Sequence, residues 1–471
     1  MRQAETIGIS ADEVRALART GVLFGFPLVA MDMVRRAHPT PCARFLRLAA
    51  DPSAVAPGLP RDRDPDLIAS SAWLDLTDGP MVLTLPDLHG RHAVVTLFDA
   101  WGWPIASLGS RTTGGVGRDV AVVGPDWRGE LACGLSAVRS PSRAVWATAH
   151  LRAHGAADLE ATRELHRRLF ITPLLNTRER PSDIGTDLVV LDPARPLAEA
   201  MAELSAGVFF HRLAGLLAMA PATREERPEL DALARLGVIP GKPFEWGGWP
   251  EPQISALEDG AAEGLARLQT LARSEATGWW PASTPIPRGE AAEARAARLW
   301  TSLGAAPQED VLTLVSETDE NGRPLDGAHR YQLRFEPGMT PPAEAFWTLD
   351  VLGPDGAPLQ SDHGHVSISD RGPIAWTHDR AIQVPVQHKR PARDPANWLI
   401  APQGRFALRL QIHWPRACAL DGRWTAPRIV DLGPARGAST VFTAGTHRRP
   451  RSTSWGPQGA AEAISLQGGM S

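Results

Sequence analysis

The stretch LFDAWGWPIASLGSRTTG holds the residues that could most readily do chemistry. Asp99 ends a predicted strand, Trp101 and Trp103 follow in a turn, and Arg111 and Thr112 stand in the next loop. An arginine fork can hold a carboxylate or phosphate through two hydrogen bonds, and tryptophan faces can contact an apolar ligand body. The pattern therefore predicts a small-molecule site at the rim of a β-domain. In the alternative, Asp99 and Arg111 form an internal pair and the tryptophans are core.

A second polar group precedes Trp73 in a predicted strand. Asp66 stands before that strand, and together with Asp99 it offers a pair of carboxylates for acid–base catalysis. Side chains alternate along a strand, so Trp73 shares a face with Ser71. In the alternative, Asp66 forms a turn and Trp73 lies in the core.

Further candidates lie in the second half of the chain. They are Arg330, Tyr331, Trp347 and Trp398. Arg330 could face a ligand between two domains, with the aromatic side chains beside it. It could equally pair with Asp326 or Asp350 and stabilise the sheet.

Two histidines in the segment SDHGHVSISD have a spacing that suits a metal ion. His363 and His365 would lie on one face of a strand, with His388 or His413 as a third ligand. A surface loop with two unrelated histidines is the alternative.

Motifs for nucleotide and flavin chemistry are absent from the sequence. No P-loop, no GxGxxG after a strand, no GxSxG elbow and no HExxH is found. The glycine-rich run TTGGVG lacks the lysine and the following helix of a phosphate loop, so we expect a hairpin turn there. The sequence predicts a protein without cofactors.

Composition is typical of a soluble globular protein. Of 471 residues, 43% are hydrophobic and 22% charged, and the net charge of −4 comes with no basic block. We therefore expect a small-molecule substrate, no nucleic-acid or membrane partner, and leave a homo-oligomer open. Cys42, Cys133 and Cys418 are too far apart for a disulfide framework, and the first apolar run is too short to span a bilayer. These features favour the cytoplasm.

The elements that must position these residues fall into five segments. We predict N-terminal helices over 1–40, a first β-domain over 41–150, a helical region over 151–305, a second β-domain over 306–430 and a loose tail over 431–471. The strand–turn–strand segments VVTLFDAWGWPIAS and FWTLDVLGPDGAPLQS give a weak hint that the two β-domains are related.

The first helix carries clear boundary signals. Ser10 and Glu13 form a capping box that predicts its start. Gly21, Gly25 and Pro27 are expected to break it, with a second helix beginning after them.

Longer segments resemble a known family. FGFPLVAMDMVRR, SSAWLDLTDGPMVLTLPD, DAWGWPIASLGSRTTG and VGPDW resemble an N-terminal domain known as domain of unknown function 1254. DENGRPLDGAHRYQLRF, PPAEAFWTLDVLGPDG, NWLIAPQGRFALRLQIHWP and LDGRW resemble its usual C-terminal partner, domain of unknown function 1214. The resemblance implies two jelly-roll-like β-domains with helices between and around them, and implies no reaction.

The chain also departs from that family pattern. Relatives usually carry Asn-Asn-Asp-Thr-Leu-Tyr before the AWLDL segment, of which this chain keeps only Asp66, with Ala69 in place of the tyrosine. Phe24 stands where a tyrosine is common. Any chemistry that relatives perform with those groups is lost or altered here.

Together these patterns predict an α+β protein with two antiparallel jelly-roll-like β-sandwich domains and an intervening helical segment. The expected function is a cofactor-independent hydrolase, lyase or isomerase acting on a small organic molecule in a Trp-lined pocket. The alternatives are a non-catalytic ligand- or carbohydrate-binding protein, a metal-dependent enzyme that uses His363 and His365, and a scaffold whose β-domains serve assembly.

Overall fold

The computed structural model describes most of the chain in nine ranges. They are residues 8–38, 46–47, 67–174, 197–272, 277–282, 292–354, 356–361, 364–392 and 395–435. Asp66 and His363 lie outside these described residues, so the sequence predictions for both stay predictions.

Helices and strands alternate in blocks along the chain. The helices are α1 (Ala11–Ala37), α2 (Ser110–Thr113), α3 (Leu159–Arg167), α4 (Leu197–Ala202), α5 (Ala206–Met219), α6 (Arg227–Arg235), α7 (Glu251–Ala272), α8 (Ala292–Ser302) and α9 (Ala417–Leu420). The first nine strands are β1 (Leu46–Arg47), β2 (Leu67–Asp75), β3 (Met81–Leu85), β4 (Ala93–Asp99), β5 (Pro104–Gly109), β6 (Arg118–Val123), β7 (Ser136–Arg139), β8 (Ala144–Arg152) and β9 (Phe170–Pro173). The remaining strands are β10 (Trp280–Pro281), β11 (Val311–Ser316), β12 (His329–Phe335), β13 (Ala343–Leu352), β14 (Ser367–Ser369), β15 (Ile382–Gln387), β16 (Leu399–Ile400), β17 (Ala407–Pro415) and β18 (Val430–Pro434). The protein is therefore mixed α+β with several sheets.

Strands β1 to β9 form a first β-unit of two sheets. One sheet has the order β1-β2-β8-β4-β5 and the other β7-β6-β3-β9. Alternate residues of β8, such as Val145 and Leu151, face an apolar cluster that also contains Leu83 and Val122 from the other sheet. The two sheets thus share one core.

Strands β10 to β18 form a second β-unit with the same connectivity. Its sheets have the orders β10-β11-β17-β13-β14 and β16-β15-β12-β18, which repeat the first unit strand for strand. Each unit even has one parallel pair at the same place, β6 with β7 and β15 with β16. The weak sequence echo between the β-domains therefore corresponds to a full repeat of nine strands.

The strand registers place individual residues of the two units in equivalent positions. Core-facing Ala93 pairs with Leu151 in the first unit, as Trp347 pairs with Ile412 in the second. The backbone N–H of Ala93 donates to Ser110 Oγ at 3.0 Å, and that of Trp347 to Asp370 Oδ1 at 3.1 Å. By this alignment the residues that correspond are His92 with Phe346, Arg152 with His413, and Arg111 with Arg371.

Helix α1 runs unbroken through the residues that were expected to end it. Pro27 lies inside the helix, and Gly21 and Gly25 pack tightly against the side chains of Phe210 and Leu213. Every residue from 24 to 34 is buried, and the helix packs against the other long helices. The predicted break is wrong because burial against neighbouring helices outweighs the local cost of proline and glycine.

The apolar run that was expected to be too short for a bilayer belongs to this helix, which is long and apolar enough to cross a membrane by length and composition. However, 83% of its most apolar window is buried inside the protein. This burial is the behaviour of a core helix, and it leaves little apolar surface for lipid.

Three sequence expectations about boundaries are corrected. Residues 170–173 form β9, which pairs with β3, so the segment expected to be helical contains a strand of the first β-unit. Residues 430–434 form β18 on β12, so the first residues of the segment expected to be a loose tail belong to the second β-unit, and residues 436–471 lie outside the described residues. The TTGGVG run begins inside α2 and lies between β5 and β6, which belong to different sheets, so it is not a hairpin turn.

Candidate functional site at the junction of the two β-units

Asp99 closes the tight turn between β4 and β5. Its Oδ1 accepts hydrogen bonds from the backbone N–H groups of Trp101 and Trp103, both at 2.9 Å. Its own N–H donates to the carbonyl of Trp103 at 2.9 Å. The buried Asp99 carboxylate thus orders this turn through backbone N–H groups, a structural role that neither sequence interpretation named.

Arg111 lies at the opposite end of the same hairpin. Val94 pairs with Gly109, so the length of β4, about 16 Å, separates Arg111 from Asp99. The expected Asp99–Arg111 pair is therefore wrong. Instead, Arg111 Nε donates to Asp310 Oδ1 of the second β-unit at 2.7 Å, while Thr112 is exposed on α2.

The tryptophans of the first β-unit fill the core beside the helices. Trp73 stacks on Trp146 at 5.9 Å between ring centroids, and Trp101 meets Phe24 edge-on at 5.2 Å. Trp73, Trp101 and Trp103 are all at least nine-tenths buried in the cluster that joins the sheet to α1 and α8. Helices α1 and α8 pack against these side chains.

The aromatic candidates of the second β-unit are core as well. Tyr331 accepts a hydrogen bond at its hydroxyl from the Asp326 N–H at 2.9 Å, and burial raises the pKa of Tyr331. Trp398 Nε1 donates to the Gln387 carbonyl at 2.9 Å, and Trp347 is buried in the same cluster. Their polar atoms serve the fold.

Arg330 also has a structural contact, though not the expected one. Its Nη2 donates to the carbonyl of Leu432 at 2.9 Å and so helps to hold β18 on β12. Asp350, one expected partner, instead accepts from Arg409 at 3.0 Å. Arg330 lines none of the cavities described below.

The histidine pair receives no support from its surroundings. His365 is exposed, and His388 Nδ1 lies 3.0 Å from the carbonyl oxygen of Ala401, while His363 is outside the described residues. Within the described ranges, no group of three or more His, Cys, Asp or Glu side chains is arranged to hold a metal ion.

A different set of side chains meets where the two β-units touch. Phe346 stacks on His413 with centroids 4.0 Å apart and planes at 16°. The guanidinium carbon of Arg152 lies 3.8 Å from the centroid of the Phe346 ring, and the His92 ring lies 5.9 Å from that of His413. Since His92 corresponds to Phe346 and Arg152 to His413, the units contact each other through equivalent positions.

A cleft of about 350 Å³ opens beside this stack. Its walls are formed by Gly90, Arg91, His92, Ser110, Arg152, Ala153, His154 and Gly155 from the first unit and Glu344, Ala345, Phe346, Arg371 and Trp414 from the second. The volume is within the range of small-molecule sites, which commonly lie between domains.

The backbone at the edge of the cleft is strained. Trp414 has a φ of +52°, a left-handed conformation that residues other than glycine rarely adopt. Its N–H donates to the Asp310 carbonyl at 2.7 Å. Such strain is concentrated at functional sites. Here the strained residue, Trp414, lies in the cleft wall and is hydrogen-bonded to Asp310.

His92 is the titratable group with the most unusual environment in this cleft. Burial lowers its pKa from 6.5 to about 4; Asp310 opposes this shift and Arg152 adds to it. The Nδ1 atom is fully buried and has no hydrogen-bond partner, and neither has Asp310 Oδ2. At neutral pH the cleft therefore contains an uncharged imidazole between a carboxylate and arginines.

His413, beneath His92, is uncharged for similar reasons. Burial, followed by the proximity of His92 and Arg152, lowers the pKa of His413 well below its usual value. Arg91 at the rim is paired with Asp158 through its Nε at 2.9 Å. Arg152 and Arg371 are the other arginines on the cleft wall.

Two protein families match the chain, one on each side of this junction. Residues 55–173 match the family described as Protein of unknown function (DUF1254), and residues 310–417 match Protein of unknown function (DUF1214). The chain carries a DUF1254 region followed by a DUF1214 region. His92, Arg111 and Arg152 belong to the first, and Asp310, Phe346 and His413 to the second. The cleft therefore lies between the two family regions.

One solved structure shares the fold at low sequence identity, and a second is a weaker match. The VPA0106 protein from Vibrio parahaemolyticus superposes with a TM-score of 0.62 at 19% identity, over 89% of this chain and 100% of its own. An uncharacterised protein from Burkholderia cenocepacia gives 0.44 at 13% identity, over 90% and 96% of the two chains. No match is found among curated proteins.

Sequence reasoning missed His92, Asp310 and Phe346 as site residues because they are distant along the chain. An alignment of the DUF1254 region with the DUF1214 region, as two copies of one repeat, could have indicated these residues. In sequence, Asp66 precedes Ile68 by two residues, as Asp310 precedes Leu312, and these two apolar residues pair with equivalent strands. The candidate Asp66 therefore pointed to Asp310 through the repeat.

A second, larger groove flanks β11. It measures about 710 Å³ and includes Trp279 and Trp424 in its walls. Both indole N–H groups are already bonded, to the carbonyls of Pro427 at 2.7 Å and Met339 at 3.0 Å. Only the faces of these rings remain for a ligand.

Proposed function

We propose that the protein is an enzyme whose active site is the junction cleft between the DUF1254 and DUF1214 regions. Its substrate is a small organic molecule, and the reaction is a hydrolase, lyase or isomerase type without a cofactor. His92 transfers or shares a proton with the substrate, and Arg152 and Arg371 hold a negatively charged part of it.

The observation that carries this proposal is the state of His92. An imidazole that is uncharged at neutral pH and has a buried, unpartnered nitrogen on a cleft wall costs stability without serving the fold. Perturbed titratable groups in clefts are the expected signature of catalytic sites. By contrast, the polar atoms of Asp99 and Tyr331 are used by backbone groups.

The chemistry follows from the residue types around the cleft. An uncharged imidazole can accept a proton from a substrate C–H or O–H group, or donate a hydrogen bond to a carbonyl oxygen. Asp310 stands close enough to stabilise the imidazolium that a proton transfer would form. The arginines supply the positive charge that a substrate carboxylate or developing oxyanion requires.

A ligand-binding protein without catalysis is the second candidate. The observation that favours it is the groove beside β11, where Trp279 and Trp424 could offer ring faces to a sugar or another flat ligand. The two functions predict that substitutions at different residues reduce ligand binding or activity, because the groove and the junction cleft share no lining residue.

The test is an activity screen of the intact protein with matched variants. Small organic acids, esters and hydroxy acids are incubated with the wild type and followed by proton NMR. The wild type should convert a compound that His92→Gln fails to convert, while His378→Gln, which replaces an exposed histidine outside the cleft, keeps full activity. A conversion that His92→Gln performs at the wild-type rate would contradict the assignment.

Three further sequence expectations belong to the same proposal. We infer that each two-sheet unit is a jelly-roll-like sandwich, supported by a core shared between its sheets. The protein acts in the cytoplasm, and no nucleic acid or membrane takes part. Ultraviolet crosslinking and cell fractionation would test these last two points directly.

A further inference from the structure

We propose that the junction cleft binds the carboxylate or phosphate group of a small organic molecule together with one proton, which is taken up by His92. This inference rests on the proposed function, since it concerns the same cleft. It adds the ligand class and a pH dependence that the proposed reaction does not require.

The charges on the cleft wall favour an anion. Arg152 of the first β-unit and Arg371 of the second both line the cleft, so each unit contributes a positive charge to its wall. Asp370 is a carboxylate on which both arginines act electrostatically. At the rim, Arg91 binds Asp158, and Glu344 binds Arg416 at 3.0 Å. Arg371 Nη2 donates to the Ala345 carbonyl, and the Arg152 guanidinium carbon lies 3.8 Å from the centroid of the Phe346 ring. An oxyanion can accept hydrogen bonds from guanidinium groups, which are the usual partners of carboxylates and phosphates.

His92 is placed to respond to such an anion. The charged and titratable groups around it are His150 and Arg152 from β8, His413 from β17, Arg371 after β14, and Asp310 before β11. The arginines and histidines disfavour the imidazolium, and Asp310 alone among these groups favours it. A bound anion adds a second negative charge near the ring and therefore favours proton uptake.

Thermodynamic linkage makes this effect reciprocal. If a bound anion raises the proton affinity of His92, a protonated His92 must raise the affinity for the anion by the same factor. The proton comes from solvent and binds a ring nitrogen, so no covalent bond to the ligand forms or breaks. The affinity for the anion should therefore increase as the pH falls towards the pKa that His92 has in the anion-bound protein.

The experiment measures dissociation constants for two probes with the full chain at pH 5 and at pH 7.5. Sulfate represents a phosphate group and trifluoroacetate a carboxylate, and both keep a constant charge over this range. Binding is followed through the NMR signals of histidine-labelled protein. We expect at least one probe to bind about fivefold or more tightly at pH 5 than at pH 7.5, and the stronger probe identifies the ligand class.

Matched variants separate this inference from the proposed function. His92→Gln should bind the same probe with little pH dependence, whereas Arg371→Met should weaken binding at both pH values. Arg128→Met removes an exposed arginine outside the cleft and should change neither value. Thermal unfolding of each variant verifies that it is folded under the conditions of the titration.

The outcomes are distinct. Binding that is lost in Arg371→Met but equal at both pH values overturns the proton-coupled inference and leaves the proposed active site standing. Binding that neither Arg371→Met nor His92→Gln alters places the anion elsewhere and overturns both. If neither probe binds at either pH, the cleft is not an anion site and the inference fails.

Discussion

Arg111 Nε donates a hydrogen bond to Asp310 Oδ1 at 2.7 Å, and this ion pair joins the DUF1254 region to the DUF1214 region. The Asp310 side chain is 1% exposed and that of Arg111 29%, so the carboxylate depends on this partner. In the repeat, Arg111 of the first β-unit is equivalent to Arg371 of the second, and Arg371 lies on the cleft wall. The junction is thus held together next to the place where we propose that substrate binds.

Removing Arg111 should therefore destabilise the protein. Arg111→Met leaves a buried carboxylate unpaired, and we expect a loss of about 2–4 kcal/mol in the free energy of unfolding, measured by urea titration. The double variant Arg111→Met with Asp310→Leu should recover part of that loss. Arg227→Met, which breaks an exposed pair with Asp231, should change it by less than about 0.5 kcal/mol. An equal effect of both arginine variants would contradict the role of the junction pair.

Asp99 should matter for stability and not for catalysis. Asp99→Ala removes the acceptor for two buried N–H groups and is expected to cost about 1–3 kcal/mol. Asp99→Asn keeps an oxygen in the same place and should cost less. The check is kcat/KM of folded Asp99→Asn on any substrate found: a value near wild type agrees with a turn residue, and a loss of a hundredfold or more would make Asp99 catalytic.

The tryptophans named from the sequence should behave as core residues. Trp101→Ala removes a side chain that packs on Phe24 and beneath Arg295, and we expect a loss of about 3–5 kcal/mol in chemical denaturation. Trp101→Phe should retain much of this stability. Loss of ligand binding in a Trp101→Phe protein of normal stability would instead support the Trp-lined pocket that the sequence suggested.

Stability should fall with acid because of His92 and His413. In each case the folded-state pKa lies below the unfolded value, so the unfolded chain binds more protons and stability decreases as the pH falls. For His92 the contribution is complete above about pH 6.5 and is lost as the pH falls to about 4. Denaturation at pH 7.5 and 5 should show a smaller loss in His92→Gln than in wild type. An identical loss in both proteins would mean that His92 is not buried in its neutral form.

Much of the fold was predictable because it is local. The β-rich and helical segments follow from side-chain periodicity, and the Ser10 cap of α1 follows from a short motif. The unbroken helix through Pro27 was not predictable, since the packing that stabilises it comes from residues about 190 positions away. Likewise β18 pairs with β12 across about 100 residues, which no local pattern indicates.

The site was less predictable than the fold. Sequence reasoning favoured residues close together in the chain, such as Asp99 with Arg111, whereas a hairpin places these two at opposite ends. The cleft instead combines His92 with Asp310 and Phe346, which only the contact of two repeated units brings together. Polar residues next to tryptophan are also a weak indicator of function, because tryptophan is more often core than ligand platform.

The most direct test of the account is the ionisation of His92 in the intact protein. Histidine-labelled protein, with the His92 signal assigned by comparison with His92→Gln, is titrated between pH 3.5 and 8 by NMR. We predict a midpoint near pH 4, because burial and the neighbouring arginines disfavour the charged ring. A midpoint near 6.5, the value of an ordinary exposed histidine, would contradict the uncharged imidazole on which the proposed active site depends.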